Sequence, residues 1–329
     1  MKNEIIYRKI KQNEFENCLN LISKFRKNSD LNKKFIEWDY YLNPFGKPKT
    51  FVAEYKNQFI GITFCTPLKF QNDNKIYSGF RIQDMLTNIN FLRKEIKARK
   101  KIPRKEGAGI SPNLLKVTNN FLDENSEINI GFPNEKSLPF FEKKKWASSN
   151  KVPWVLHKIP LILKTLDTKQ EFQLQYSLIN KFTNMHENIW RENINDKIDI
   201  MWTKEYSNWR YTLNPRFNYK TFEIKNNEKK IGYIVLKKYE QENKLTIGHI
   251  CQLVCPDKYI KDSINFAANY FFDLSIKKLT MLRINCENLF FKELDFKQVF
   301  LEKKNFMYKG KKIYDKSSLN LSMSYSDTY

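Results

Sequence analysis

Short alternating runs of apolar and polar residues punctuate the chain and give way several times to runs with helical spacing. "IIYRKI" reads as a strand, and "NEFENCLNLISKF" after it as a helix with an Asn at the N-cap position. "TFVAEYKNQFIGITFCTPLKF" consists of two β-rich runs around "KNQ", the pattern of a hairpin, and "IYSGFRIQDMLTN" is a further strand. "SPNLLKVTNNFLDE" predicts a helix opening on a Ser-Pro pair, "SEINIGF" a strand and "KSLPFFEKKKW" a short helical turn. The second half repeats the series. "YKTFEIKNNEKKIGYIVLKK" is a hairpin, "LTIGHICQLVC" a strand, "DSINFAANYFFDLSI" a helix and "LTMLRIN" a strand, while "SSLNLSMS" alternates as a closing strand should.

The repetition extends to residue identities. W-x-Y-x-L-N-P begins at Trp38 and again at Trp209, 171 residues on, and the same spacing carries Ile60-Gly61 onto Ile231-Gly232. Gly79 and Gln83 recur as Gly248 and Gln252 at a spacing of 169, and "FFEKKKW" resembles "FFKELDF" at a spacing of 150. The shrinking interval gives the first copy 19 extra residues between Gln83 and Phe140. A duplicated domain follows. The expected fold class is α/β, with two tandem domains, each a mixed and mostly antiparallel sheet flanked by helices, over residues 1–160 and 161–329. Trp38 and Trp209 are expected to plug equivalent core sites.

A chain of 329 residues exceeds what one typical core needs, in keeping with two domains. Lysine and arginine number 58 against 36 aspartates and glutamates, a net charge of +22. That excess suits nucleic acid, an anionic membrane surface or an anionic small molecule, and lysine scattered throughout the chain also gives a merely solvated surface. The chain has no evident DNA-reading helix, zinc pattern or aromatic RNA platform, so nucleic acid is not the expected partner. Five cysteines without a CxxC pair and three separate histidines point to a reducing cytoplasm and to no metal site. "MKNEIIYRKIKQ" has no apolar signal region, and "VPWVLHKIPLIL" is interrupted by His157, Lys158 and Pro160 and is too short to span a bilayer, so no membrane association is expected.

Glycine is scarce, nine in all, yet Gly107 and Gly109 fall together in "RKEGAGIS" between a predicted strand and a predicted helix. Successive amides at the start of a helix converge on an anion, and glycine lets the backbone come close to it. The stretch is neither a Walker loop nor a GxGxxG fingerprint. Before it, "LRKEIKARKKIPRKEG" sets eight basic residues against two glutamates. This is the make-up of a clamp for a second phosphate, and equally of a solvated helix face.

R-x-x-G-x-G/A between a strand and a helix, met here by Arg104, Gly107 and Gly109, resembles the acyl-CoA pyrophosphate loop of the GNAT acyltransferase superfamily. The opening strand and helix, the hairpin "FVAEYKNQFIGI" and the segment "GFPNEKSLPFFEKKKW" fit the same family, and the duplication resembles its tandem two-domain subgroup. The likeness is weaker in the second copy, where "VCPDKYIKD" replaces the loop and contains no glycine. The resemblance implies acetyl-CoA as acyl donor, its pyrophosphate on the main chain of Arg104, Lys105, Glu106, Gly107, Ala108, Gly109 and Ile110, and its pantetheine between the fourth and fifth strands. Main-chain groups of Met85, Leu86 and Thr87 would hold the acyl carbonyl. Asp84 is the first choice for the base that deprotonates the incoming ammonium, with Glu135 as a weaker one. Asn134 and Ser137 match a turn near the thioester, though an Asn there is also an ordinary Asx-turn residue. The tyrosine that often protonates the departing thiolate is replaced by Phe141, which cannot donate a proton, so water or a tyrosine of the second copy must serve. The implied activity is transfer of an acetyl or other acyl group to the amine of a small soluble acceptor. An anionic, nucleotide-linked amino sugar for surface-glycan synthesis would suit the charge. The second copy would be a degenerate partner shaping the acceptor pocket, or a packing domain. The alternatives are a tRNA-dependent aminoacyl transferase of similar architecture and a non-enzymatic anion- or nucleic-acid-binding protein.

Overall fold

The computed structural model describes residues 5–25, 33–72, 75–88, 90, 91, 94, 109–149, 153–158, 172–194, 197–240, 246–282, 297–300, 306–310, 319, 320, 322 and 325. Two compact units emerge. One comprises residues 1–70, 77–150 and 303–313, the other residues 71–76, 151–302 and 314–329.

The first unit runs β1 (Ile6–Lys9), α1 (Phe15–Phe25), α2 (Lys33–Ile36), a π-helical turn (Glu37–Tyr41), β2 (Lys49–Tyr55), β3 (Gln58–Asn72), β4 (Lys75–Thr87), α3 (Ile110–Asn125), β5 (Ile128–Gly131), α4 (Leu138–Lys143) and β6 (Ala147–Ser149). The second runs β7 (Pro153–Lys158), β8 (Leu174–Ile179), α5 (Asn184–Asn193), β9 (Asp199–Ile200), α6 (Lys204–Ser207), a second π-helical turn (Asn208–Thr212), β10 (Tyr219–Asn226), β11 (Lys229–Glu240), β12 (Thr246–Val254), α7 (Ile260–Asp273), β13 (Lys278–Leu282) and β14 (Lys297–Phe300). A last strand, β15 (Phe306–Gly310), returns to the first unit.

The sheets have matching orders. The first reads β1-β2-β3-β4-β5-β15-β6 and the second β8-β10-β11-β12-β13-β7-β14. In each, the fourth and fifth strands pair in parallel, β4 with β5 and β12 with β13. The sixth place is filled reciprocally. β15 lies antiparallel between β5 and β6, and β7 lies antiparallel between β13 and β14. The two units therefore interleave along the chain.

Periodicity explains the layers. On α1, Cys18, Leu21 and Ile22 share one helical face and cluster with Val52, Ile62, Phe64 and Tyr40. On the opposite face of the sheet, Leu114, Leu115 and Leu122 of α3 cluster with Phe51, Ala53, Phe80 and Ile82. These three leucines are fully buried, and each contributes roughly 1.5–3 kcal/mol. In the second unit Ile264, Ala267 and Phe271 of α7 cluster with Ile234, Leu236, Ile250 and Leu279 in the same way.

The sequence repeats have matching structural causes. Both W-x-Y segments form π-helical turns, closed by Leu42 N–H on Glu37 O and Leu213 N–H on Asn208 O, and both tryptophans are buried. Asn43 accepts from the Phe45 amide as Asn214 accepts from the Arg216 amide. Ile60 and Ile231 are each the extra residue of a β-bulge, since Ala53 faces Gly61 and Glu54 faces Phe59, while Ile224 faces Gly232 and Lys225 faces Lys230.

Two helix starts differ from the expected ones. Asn13 lies inside a 3-10 turn (Gln12–Glu14), and the Glu14 carboxylate, accepting from the Lys11 amide at 2.7 Å, caps the start of the helical segment. α3 begins with Gly109 at its N-cap, which puts Ser111 and Pro112 at the second and third helical positions. Proline is tolerated there because the first-turn amides have no intrahelical acceptor. Of the predicted closing strand "SSLNLSMS", only residues 319, 320 and 322 are among those described, with Leu319 in an isolated bridge to Ile198.

Candidate active site

β4 and β5 register Gly79 with Ile128 through Ile82 with Gly131. β4 then continues to Thr87, whereas Phe132, Pro133 and Asn134 leave strand conformation. The two parallel strands part at this point, leaving β4 with main-chain groups on an edge that β5 no longer covers. Its other edge stays engaged, with the Asn88 amide donating to the carbonyl of the bulged Ile60 at 2.7 Å. Met85 packs into the cluster on the α3 face and Leu86 into that on the α1 face, so this edge offers mostly backbone.

Asp84 sits within this stretch at φ +52, a conformation few non-glycine residues adopt. Its carboxylate accepts a hydrogen bond from the Tyr40 hydroxyl. Tyr40 is itself buried, its ring centroid 4.4 Å from that of Phe64. Beside the pair, Gln83 Nε2 donates to Asp39 Oδ2 at 3.0 Å, and Arg81 Nη2 lies 3.6 Å from Asp39 Oδ1, all three side chains buried. The first π-helical turn thus grips residues 81–84 of β4 through polar side chains. Sequence reasoning read the W-x-Y motif as core packing only and missed Tyr40, because its counterpart Tyr211 makes it look purely structural. The available signal was the residue opposite, since position 253, which matches Asp84 at the spacing of 169, is leucine.

The first turn of α3 lies against the end of β4. Thr87 Oγ1 and Ser111 Oγ are 2.9 Å apart, tying the end of β4 to the first turn of α3. Gly61 lets that turn come close, because a Cβ there would meet Ile110 Cγ2 and Leu114 Cδ1, each at 2.9 Å. The first amides of α3 and its dipole favour an anion at Gly109 and Ile110. Arg104, Lys105, Glu106, Gly107 and Ala108 lie outside the described residues, as does most of the basic stretch before them. The β4 edge beyond its pairing with β5, with main-chain donors and acceptors for pantetheine amides, and the α3 start, with donors for a diphosphate, both fit an acyl-CoA.

Asn134, Glu135 and Ser137 are differently occupied. Asn134 Oδ1 accepts from the amides of Lys136 and Ser137 at 3.1 and 3.0 Å and from Ser137 Oγ at 3.1 Å, which makes it the hub of the Asx turn leading into α4. Glu135 is exposed. Phe141 is buried, its ring edge-on to Trp146 and in contact distance of Gly131, so this position is filled as core. Burial pushes the Cys18 thiol up to about 12 and the Cys251 thiol up to about 11, so neither supplies a thiolate near neutrality. Among the described residues, no group of three or more His, Cys, Asp and Glu could hold a metal ion.

The second unit has the same parting of strands without this chemistry. β12 pairs with β13 from Gly248 to Ile250 and continues to Val254. Tyr211 donates to Gln252 Oε1 at 2.7 Å, and a buried Arg210 stands where the first unit has Asp39. A Cβ on Gly232 would lie 2.4 Å from the Val254 carbonyl and 2.7 Å from Cys255 Cβ, so the chain leaving β12 folds directly over that glycine.

No family model matches the sequence, and no curated protein does. Solved structures share the fold. A GCN5-related N-acetyltransferase from Anabaena variabilis ATCC 29413 superposes with a TM-score of 0.65 at 13% identity, over 93% of this chain and 73% of that one. A conserved protein of unknown function from Enterococcus faecalis V583 does so with 0.65 at 10% identity, over 92% and 72%. A GCN5-related N-acetyltransferase from Kribbella flavida gives 0.56 at 8% identity, over 93% and 70%. The chain therefore has the fold of the GNAT acyltransferases.

Proposed function

We propose that this protein is a coenzyme A-dependent N-acyltransferase that moves an acetyl or other acyl group to the amine of a small soluble acceptor. The observation that carries the reading is the stretch of β4 beyond Ile82, where pairing with β5 ends, which bears Asp84 fixed by Tyr40 and leads to the N-terminus of α3. Acetyl-CoA supplies the activated thioester. Main-chain groups of Met85, Leu86 and Thr87 hold the acyl end, and the amides around Gly109 and Ile110, together with those of the preceding loop, hold the diphosphate. Asp84 takes the proton of the acceptor ammonium, directly or through one water, and the Tyr40 hydroxyl keeps its carboxylate in one orientation. After the amine attacks the thioester carbonyl and the C–S bond breaks, the proton released by the new amide nitrogen reaches the thiolate through water, because Phe141 has no proton to give. Thiolate is a good leaving group, so this suffices.

The net charge of +22 supports an anionic acceptor, of which a nucleotide-linked amino sugar is one class. The buried free thiols Cys18, Cys65, Cys251 and Cys255 support a reducing, cytoplasmic setting. Among the described residues, no helix is long and apolar enough to cross a membrane.

Thermal unfolding with acetyl-CoA, longer acyl-CoAs, UDP-linked amino sugars and tRNA tests the reading. A donor at a hundred times its Kd stabilises the fold by about 2.7 kcal/mol. A shift with acetyl-CoA, and thiol release that depends on an added amine, are expected. A shift with tRNA and none with any acyl-CoA overturns the proposal in favour of aminoacyl transfer.

A further inference from the structure

A cavity of about 390 Å³ opens in the first unit between α1, the turn joining β2 to β3, and the segment leaving β4. That size admits a small ligand. Its polar lining is made of carboxamides. Asn17 and Asn20 project from one face of α1, Asn57 and Gln58 come from the turn, and Asn88 follows β4. Phe59 and Phe91 supply aromatic surface. Among the described residues lining it, none is charged, on a chain with 58 lysines and arginines. Arg8 packs over Phe59 at 5.7 Å from the ring centroid, but Glu14 and Glu54 hold its guanidinium at 2.7 and 2.6 Å.

The duplication supplies an internal comparison. Tyr55 faces Gln58 across the first hairpin turn as Asn226 faces Lys229 across the second, so Asn57, Gln58 and Phe59 correspond to Glu228, Lys229 and Lys230. There Lys230 pairs with the buried Glu223 at 3.0 Å, so the matching position is charged. Lys56 and Asn57 also both hold positive φ, of 50° and 59°, which fixes the two-residue turn that presents Asn57 and Gln58.

We propose that this cavity binds a neutral saccharide. The carboxamides of Asn17, Asn20, Asn57 and Gln58 each set a donor beside an acceptor, which is what two neighbouring hydroxyls of a pyranose require, while Asn88 Oδ1 accepts from the Phe91 amide at 3.0 Å and leaves its Nδ2 to donate. A phenylalanine ring takes the apolar C–H face of the sugar. Lack of charge excludes carboxylate or phosphate as the principal handle. Asn88 is four residues along the chain from Asp84, at most about 13 Å of backbone. The cavity is lined by residues other than Asp84, and the assignment does not depend on the acyl-transfer reading.

Saturation-transfer NMR on the full chain decides it, with N-acetylglucosamine, methyl β-glucopyranoside and maltose as probes, and glucuronate and N-acetylglycinamide for comparison. The wild type should transfer saturation to at least one neutral saccharide. Asn17→Ala/Gln58→Ala should weaken that binding at least tenfold while keeping the wild-type circular dichroism and any acetyl-CoA thermal shift. Because both side chains are exposed, the variant is expected to fold. No transfer to any saccharide, undiminished transfer in the variant, or a response to N-acetylglycinamide alone overturns the assignment, the last in favour of a peptide.

Discussion

The Tyr40 hydroxyl donates to the Asp84 carboxylate, joining the π-helical turn of the first unit to its fourth strand, whereas in the second unit Tyr211 donates to Gln252. The same phenol thus serves a carboxylate in one copy and an amide in the other. Asp84→Asn keeps an oxygen acceptor for Tyr40 but cannot take a proton. Amine-dependent CoA release should fall by roughly 10²–10⁴, with thermal unfolding little changed. Tyr40→Phe should slow release by about tenfold, the equivalent of roughly 1.4 kcal/mol, through loss of orientation alone. Wild-type rates in both variants would remove Asp84 from the reaction.

Close packing at Gly61 sets where α3 begins. Gly61→Val places new atoms where Ile110 and Leu114 already stand at 2.9 Å and Ala53 at 3.3 Å. Urea unfolding should show a loss of roughly 1–3 kcal/mol from overpacking. The acetyl-CoA thermal shift should shrink with it, since the helix start is pushed away from β4.

Ending the chain after residue 302 removes β15, leaving β5 and β6 with exposed edges, and also removes Leu319, Asn320 and Tyr325 from the second unit. Phe306 and Met307 are fully buried, and losing both takes away roughly 3–6 kcal/mol, a large share of the ~5–15 kcal/mol that stabilises a typical domain. Hydrogen exchange should show β5 unprotected in the truncated protein, and a peptide spanning residues 303–313 should restore protection when added. Protection without the peptide contradicts the strand assignment.

Asp199 is buried and accepts hydrogen bonds from Trp190, Trp202, Asn320 and Tyr325. Burial nevertheless outweighs these donors and pushes its carboxyl up to about 6. A raised acid pKa means that the folded state binds the proton more tightly than the unfolded one. The contribution of this group is therefore most favourable below about pH 4 and is lost as pH rises through about 6. Urea titrations of the wild type and Asp199→Asn at pH 4, 5, 6 and 7 isolate it, and the wild type should lose roughly 2–3 kcal/mol relative to the variant across that range. A constant difference between the two would mean that Asp199 titrates at its ordinary value.

Much of this was legible in the one-dimensional pattern. Alternation and helical spacing are local consequences of burying one face, so the hairpins, α3 and α7 stood where the apolar periods put them. The repeats marked the duplication because a π-helical turn and a β-bulge each need particular residues at fixed spacing. Asp84 was singled out through the family resemblance, as an acid on the strand expected to flank the cofactor. Its partner Tyr40 was not, since the two lie 44 positions apart and only the packing of the turn on β4 brings them together.

By itself, then, the sequence determined two copies of one mixed α/β unit, the glycine-bearing approach to α3 confined to the first copy, and phenylalanine at position 141. Local sterics and periodic burial act over a few residues and are written in order along the chain. Tertiary structure alone decided that β15 completes the first sheet and β7 the second, that Asp84 meets Tyr40, and that carboxamides from three separate segments line one cavity. Those outcomes depend on which distant edges and faces bury each other best, a competition over the whole folded molecule that no short stretch records.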